Sequence, residues 1–211
     1  MFERQLDLDP IKQFQAWYTQ ACSYLWLKNF LSRFFPPIAL HQPDAMVLAT
    51  VTSDGKPDAR VVLLKGIEKG QFLFYTNYDS RKGKELSHNP HVALVFQWCY
   101  PERQVRIEGR VKRLSYEESS LYFSTRPRGS QIGAIASQQS EVIQSREVLE
   151  HQVREVEKKY EDQEIPCPTN WGGFAVEPSR IEFWQARLSR LHDRLVYIKS
   201  ESGWERKRLS P

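Results

Sequence analysis

Three apolar runs follow one another between Ala45 and Thr76 with nothing longer than a turn between them. Ala45–Thr52 leads through Ser53-Asp54-Gly55-Lys56-Pro57 into Arg60–Lys65, and Gly66–Gly70 then turns the chain into Gln71–Thr76. Parallel strands need a crossover of about a dozen residues or more, so these short spacings favour antiparallel hairpins over βαβ units. Everything else in the chain has to be arranged around that meander.

Two further strands, His91–Cys99 and Arg103–Leu114, are expected beyond a short helix. Asp79 or Ser80 caps that helix, which runs through Leu86 until Asn89-Pro90 stops it. Upstream, Asp9 as N-cap and Pro10 at the first helical position open a helix with Ile11, Phe14, Trp17/Tyr18, Ala21 and Leu25 at helical spacing. Phe35-Pro36-Pro37 ends that unit. Downstream, Ser115-Tyr116-Glu117-Glu118 is a capping box for a helix to about Thr125, which Arg126-Pro127-Arg128-Gly129 breaks. A long helix is expected from about Ser140 to Glu161, with Val142, Leu149, Val153, Val156 and Tyr160 on one side. Pro166 and Pro168 mark a linker, followed by strands near Gly173–Val176, Ile181–Trp184, Leu195–Lys199 and Trp204–Leu209. This is a mainly β chain with helices (α+β). Roughly eight or nine antiparallel strands shed their exposed edges by closing into a barrel. The 211 residues fit one domain: an N-terminal helical segment (1–42), barrel strands (43–114), a helical insertion (115–165) and C-terminal strands (170–211).

The formal charge of +4 is local. Residues 187–211 carry seven Lys/Arg against three acids, which accounts for all of it. A nucleic-acid binder spreads its excess along a groove or helix face, so the localisation speaks for a small anionic ligand and against nucleic acid. Apolar runs such as Val61–Leu64 and Val92–Phe96 are far too short to span a membrane, and the N-terminus shows no signal peptide. Cys22, Cys99 and Cys167 form neither a CxxC pair nor a Cys/His cluster, so no zinc or disulfide framework is expected. The natural setting is the reducing cytoplasm. No GxGxxG, Walker, GxSxG or HExxH pattern occurs.

Four constellations bear on chemistry. Read as an extended segment, Arg190, His192 and Arg194 share one face, with Leu191 and Leu195 opposite. Three potential cations crowded there repel unless an anion or carboxylates neutralise them. Tyr122 and Arg126 stand four residues apart near a helix end, and Ser130 follows a turn that can fold it back towards them, making a plausible phosphate cradle. Arg60 and Lys65 bracket the apolar strand Val61-Val62-Leu63-Leu64 on opposite faces. Tyr75-Thr76-Asn77 runs into Ser80-Arg81-Lys82, a strand end feeding a helix N-terminus.

Together these segments resemble the pyridoxine (pyridoxamine) 5′-phosphate oxidase family. Glu182-Phe183-Trp184-Gln185, four residues, then Arg190-Leu191-His192-Asp193-Arg194 closely resembles its C-terminal signature. Arg60–Lys65, Phe74–Asn77, Ser80-Arg81-Lys82, Glu102-Arg103-Gln104, Tyr122–Gln131 and Gln139-Ser140 match in the same order. The resemblance implies a split β-barrel homodimer with FMN in clefts between two subunits. Flavin contacts would be Arg60, Val61, Val62, Leu63, Leu64, Lys65, Tyr75, Thr76, Arg81, Lys82, Gln104, Gln139, Ser140, Trp184 and Arg194. Substrate contacts would be Lys65, Tyr122, Arg126, Ser130, Arg190, Leu191 and His192, with Arg190 and His192 over the reacting ring. On this reading Arg60 serves the flavin phosphate and Lys65 the substrate. The implied reaction oxidises pyridoxamine or pyridoxine 5′-phosphate to pyridoxal 5′-phosphate, with O2 reduced to H2O2. Family members often close an N-terminal Arg and Tyr over the substrate. Here only Arg4 stands near the start, so a site without that lid is expected. Ala186 replaces a usual Gly, and Ile135 a common aromatic. The alternatives are a related split-barrel flavin reductase or FMN-binding protein with another substrate, and a basic nucleic-acid-binding barrel.

Overall fold

The computed structural model describes residues 3, 6–31, 42–99 and 101–211, with 24–31 as backbone only. Arg4, the Leu25 side chain and the Phe35-Pro36-Pro37 stop lie outside the described residues. Nine strands form one antiparallel sheet: β1 (Ala45–Val51), β2 (Pro57–Leu63), β3 (Gly66–Glu68), β4 (Gln71–Asn77), β5 (His91–Cys99), β6 (Glu102–Arg113), β7 (Trp171–Gln185), β8 (Asp193–Ser200) and β9 (Gly203–Leu209). The helices are α1 (Pro10–Leu31), α2 (Arg81–His88), α3 (Tyr116–Ser124), α4 (Arg128–Ala136) and α5 (Arg146–Lys159).

The order is β2-β1-β5-β6-β7-β4-β3, with β8 and β9 attached to β7. That branch follows from the length of β7. Its first part, Trp171–Val176, pairs with β4, and its second part, Arg180–Gln185, pairs with β8, while β6 runs along both. The register shifts where the two parts meet, between Glu108 and Gly109. Gly109 is required there, because a Cβ would sit 2.2 Å from the Glu177 carbonyl oxygen. The bulge bends β7 and sends its two halves to different neighbours. At the other end of the order the sheet curls: the Lys65 amide donates to the Leu73 carbonyl at 2.8 Å, bringing the end of β2 to β4. The result is a split half-barrel.

α1 fills its opening. Phe14 is fully buried, with ring centroids 4.9 Å from Phe72, 4.9 Å from Phe96 and 5.8 Å from Trp98. Trp17 packs edge-on to Phe183 at 5.1 Å. Asp9 caps the helix, its carboxylate accepting from the Ile11 amide at 2.8 Å. A second cluster of Phe123, Ile132, Ile165, Cys167 and Trp171 fixes α3 and α4 beside β7.

Several expectations are corrected. Gly173–Val176 and Ile181–Trp184 are one strand, because the bulge absorbs the Pro178 interruption. Gly66–Gly70 is not all turn: Gly66–Glu68 pairs with β4, and only Lys69 and Gly70 turn, both at positive φ. Helix α4 arises where only a break was expected, because Ile132 and Ala136 gain a buried face. The long helix begins at Arg146 rather than Ser140, which has a φ of 75°, so Val142 is exposed rather than on a helical apolar side. The face shared by Arg190, His192 and Arg194 does not exist as drawn. Residues 188–190 form a 3-10 turn, with Ser189 and Arg190 at φ near 60°, and β8 starts only at Asp193. Two left-handed residues break the alternation that an extended run requires. Lys65, likewise, lies beyond the end of β2, so strand parity does not relate it to Arg60. The Ser115 capping box is present, Ser115 accepting from the Glu118 amide at 3.1 Å and Glu118 from the Ser115 amide at 2.8 Å.

Phe14→Ala empties the centre of the α1 contact. It should cost about 3–5 kcal/mol, measured by urea unfolding. An unchanged midpoint would mean that α1 does not seal the barrel.

Candidate functional site: a cationic aromatic cleft

A cleft of about 520 Å³ opens between the end of β2, β4, the start of α2 and the α3–α4 turn. Of the residues singled out from sequence, Val61, Val62, Leu63, Lys65, Tyr75, Thr76, Lys82, Tyr122, Arg126, Ser130 and Gln139 line it. Asn77, the end of the Tyr75-Thr76-Asn77 constellation, lines it too, and Gly133, Ala134, Ser137 and Trp171 line it although they were not singled out. Trp171 had no local signal: it follows a proline linker, and only β7 pairing brings it to Asn77.

The aromatic wall is a stack. Tyr75 and Tyr122 lie 3.8 Å apart at 19°, and Tyr75 and Trp171 lie 5.5 Å apart at 15°. Burial pushes the Tyr75 phenol up to about 12, so it stays protonated and neutral at physiological pH. A flat wall of this kind favours a planar aromatic ligand.

The charge is one-sided. Lys65, Lys82 and Arg126 line the cleft, and no carboxylate is among its described lining residues. The Arg126 guanidinium sits 4.6 Å from the Trp171 ring centroid, and its Nη1 is buried without a hydrogen-bond partner. Burial holds its pKa below the ordinary arginine value. The turn that presents it is pinned by Gln131, whose Nε2 donates to the carbonyls of Phe123, Ser124 and Arg126 at 3.0–3.2 Å. Lys82 Nζ donates to Gln139 Oε1 at 2.9 Å and Thr76 Oγ1 at 3.3 Å, both neutral acceptors. Its pKa is lowered, first by burial and then by the nearby Arg60 charge. Lys65 reaches Asp44 at 3.3 Å. A buried, unmatched cation is costly, and an incoming anion removes that cost.

The other sequence-derived residues are elsewhere. Arg60 and Arg81 form a corner with Asp58, Glu85 and Thr50, next to the cleft. Ser140 faces a neighbouring hollow of about 510 Å³ with Arg81 and Lys84. Leu64 is buried in the core. Gln104, Trp184 and Arg194 stand in one cross-sheet row over β6, β7 and β8. None of these three, nor Arg190, Leu191 or His192, lines the cleft.

This C-terminal group is itself ordered by contacts. Glu182, 1% exposed, accepts from Arg194 Nε at 2.8 Å and Arg180 Nη2 at 3.2 Å, and Arg106 stands at 3.7 Å. Burial raises its pKa, but the guanidiniums outweigh it, so Glu182 stays ionised. The His192 ring lies 4.6 Å from Trp184, and its Nδ1 accepts the Arg187 amide at 3.2 Å. With Nδ1 accepting, the ring hydrogen of the neutral tautomer is on Nε2. Arg190 and Leu191 are exposed.

Comparison with known proteins places these features in context. Residues 38–160 match the family model described as pyridoxamine 5′-phosphate oxidase. Residues 171–211 match the one described as the pyridoxine 5′-phosphate oxidase C-terminal dimerisation region. A pyridoxine/pyridoxamine 5′-phosphate oxidase of Rubrobacter xylanophilus is 52% identical over 97% of this chain and 88% of its own length. One from Nostoc punctiforme is 53% identical over 99% of this chain and 92% of its own. Among solved structures, PhzG from Burkholderia lata 383, in complex with tetrahydrophenazine-1-carboxylic acid, superposes with a TM-score of 0.83 at 27% identity, covering 100% of this chain and 98% of that one. A pyridoxamine 5′-phosphate oxidase-related, FMN-binding protein from Nostoc punctiforme shares the fold, with a TM-score of 0.72 at 14% identity over 98% of this chain and all of that one.

Affinity for a phosphate-bearing ligand should fall as pH rises through the lowered Lys82 pKa, because the ammonium is lost there. Lys82→Arg keeps its charge and should abolish that alkaline loss. Ligand titrations between about pH 6 and 10 read the difference. An identical profile in the variant would assign the effect to another group.

Proposed function

The chain belongs to the pyridoxine/pyridoxamine 5′-phosphate oxidase family and is an oxidoreductase, and from that premise we propose that it oxidises pyridoxamine and pyridoxine 5′-phosphate to pyridoxal 5′-phosphate with bound FMN. The observation that carries this reading is the cleft itself: three cations, a buried unpaired guanidinium nitrogen, an aromatic stack and no lining carboxylate among the described residues. A donor set of that kind fits phosphorylated aromatic molecules, which both FMN and the substrate are.

Bound FMN would supply the redox chemistry, a two-electron oxidation of the substrate at C4′ with O2 as the final acceptor and H2O2 as its product. The residues that would hold it are Arg60 to Lys65, Tyr75, Thr76, Arg81, Lys82, Gln139 and Ser140, joined by Gln104, Trp184 and Arg194. Tyr122, Arg126, Ser130 and Lys65 would hold the substrate phosphate, with Arg126 contributing its unsatisfied Nη1. Arg190 and His192 would orient the substrate ring, His192 donating from Nε2 because Nδ1 already accepts the Arg187 amide.

Within one chain, Arg190, His192, Trp184 and Arg194 do not line the cleft. We therefore assign them to the cleft of a second copy, in a homodimer built through the C-terminal region. The whole of 1–211 is taken as one functional unit, supported by β6 pairing with β7 across the two matched stretches. A cytoplasmic location belongs to the same reading and is supported by the free thiols of Cys22, Cys99 and Cys167. Among the described residues no helix is long and apolar enough to cross a membrane.

The purified protein should be yellow and should release peroxide from both phosphorylated vitamers. Flavin binding with no peroxide from either would favour the related flavin protein with another substrate. Arg190→Ala should cut turnover by about a hundredfold or more with flavin content retained. Mixing Arg126→Ala with Arg190→Ala subunits should restore activity that neither has alone. No recovery on subunit exchange would overturn the shared site.

A further inference from the structure

The corner beside the cleft is neutralised from within. Glu85, whose side chain is 6% exposed, accepts from Thr50 Oγ1 at 2.6 Å, from Arg60 Nη2 at 2.9 Å and from Arg81 Nε at 3.1 Å. Asp58 adds a second carboxylate: its Oδ2 lies 2.5 Å from Arg60 Nη2 and 3.0 Å from Arg81 Nε. Two guanidiniums thus meet two carboxylates, at the place where the functional reading needs cations for a flavin phosphate.

The two acids are not equivalent. Arg60 keeps its direction without Asp58, since Nη1 also donates to the Thr50 hydroxyl and to the Leu48 carbonyl at 3.3 Å, and Glu85 holds Nη2. Arg81 is held by Glu85 one turn along the same helix. Asp58, with a 24% exposed side chain on β2, is the outer of the pair and is redundant for positioning. What it does is accept from Arg60 Nη2 and place a carboxylate charge against the Arg81 guanidinium, in the space an incoming oxyanion needs.

We propose that Asp58 is an intramolecular competitor for the ligand phosphate at the Arg60/Arg81 corner, and that it sets how strongly the chain prefers phosphorylated over unphosphorylated flavin. The inference rests on the FMN reading above. Phosphate entry displaces Asp58 from both guanidiniums, while buried Glu85 remains as their permanent counter-ion. The corner therefore holds loose anions weakly and yields to a phosphate that the rest of the cleft also grips. Lys82, adjacent in sequence to Arg81 and bonded only to the neutral Thr76, Ser80 and Gln139, needs no such displacement.

The test compares FMN and riboflavin dissociation constants, read by flavin fluorescence quenching, for the wild-type chain, Asp58→Ala and Asp58→Asn. Both variants should bind FMN about tenfold tighter with riboflavin affinity unchanged, because a charge-assisted contact no longer has to be broken. Apo melting temperatures identify any variant that fails to fold, and the other then decides. FMN affinity that is equal or weaker in the folded variants overturns the proposal and makes Asp58 a support for Arg60, while the FMN reading survives. Should the wild-type chain bind no flavin, that reading fails. The competitor is then judged by the melting-temperature rise in inorganic phosphate, which should be larger in Asp58→Ala. An equal rise overturns it.

Discussion

The structure depends on one strand being shared between two neighbours. β7 gives its first half to β4 and its second to β8, and the switch happens at a bulge where Gly109 lets two backbones approach more closely than any side chain allows. Without that bend the sheet would stay open and Trp171 would not lie against Tyr75. The cleft wall and the C-terminal row of Gln104, Trp184 and Arg194 are thus two ends of one mechanical arrangement.

The electrostatics of the two regions differ, and the difference has a physical basis. In the cleft, Lys82 and Arg126 are desolvated without a hydrogen-bonded carboxylate, so burial lowers their pKa and stores a demand for an anion. In the neighbouring corner and around Glu182, buried carboxylates satisfy the arginines, which fixes side-chain directions at the expense of local field. A site that must both grip a phosphate and keep its arginines ordered when empty needs both arrangements. The folded chain holds them a few residues apart along β2 and α2.

The loop from Ala186 to His192 departs furthest from what its local pattern implies. Alternation along an extended strand would align Arg190, His192 and Arg194, yet Ser189 and Arg190 adopt left-handed backbone and His192 turns back to accept the Arg187 amide. Nothing in the local pattern announces that turn, since neither residue is Gly or Asn. Contacts hold it instead: Arg187 to Asp193 at 2.6 Å and His192 against Trp184.

By itself the sequence determined the antiparallel β1–β2 hairpin, because a turn this short admits no crossover, but the expected hairpin between Arg60–Lys65 and Gln71–Thr76 does not form: β2 pairs with β1, and β4 pairs with β3 and β7. It also determined the caps at Asp9 and Ser115, because their partners lie within a turn, and narrowed the α2 cap to Asp79 or Ser80, of which Ser80 accepts from the Gly83 amide. The cleft residues of β2, β4 and α2 were named through the family resemblance rather than local pattern, while spacing alone put Tyr122, Arg126 and Ser130 within reach of one another, and all three line the cleft. Only the tertiary structure decided that β7 is continuous, that Arg128–Ala136 is helical, and that Trp171 completes the aromatic wall. It also decided that Asp58 and Glu85 quench Arg60 and Arg81, and that the C-terminal signature stands apart from the cleft of its own chain. Apart from the local Asp58–Arg60 and Arg81–Glu85 links, these depend on partners far away in the chain, and local propensity carries no record of such partners.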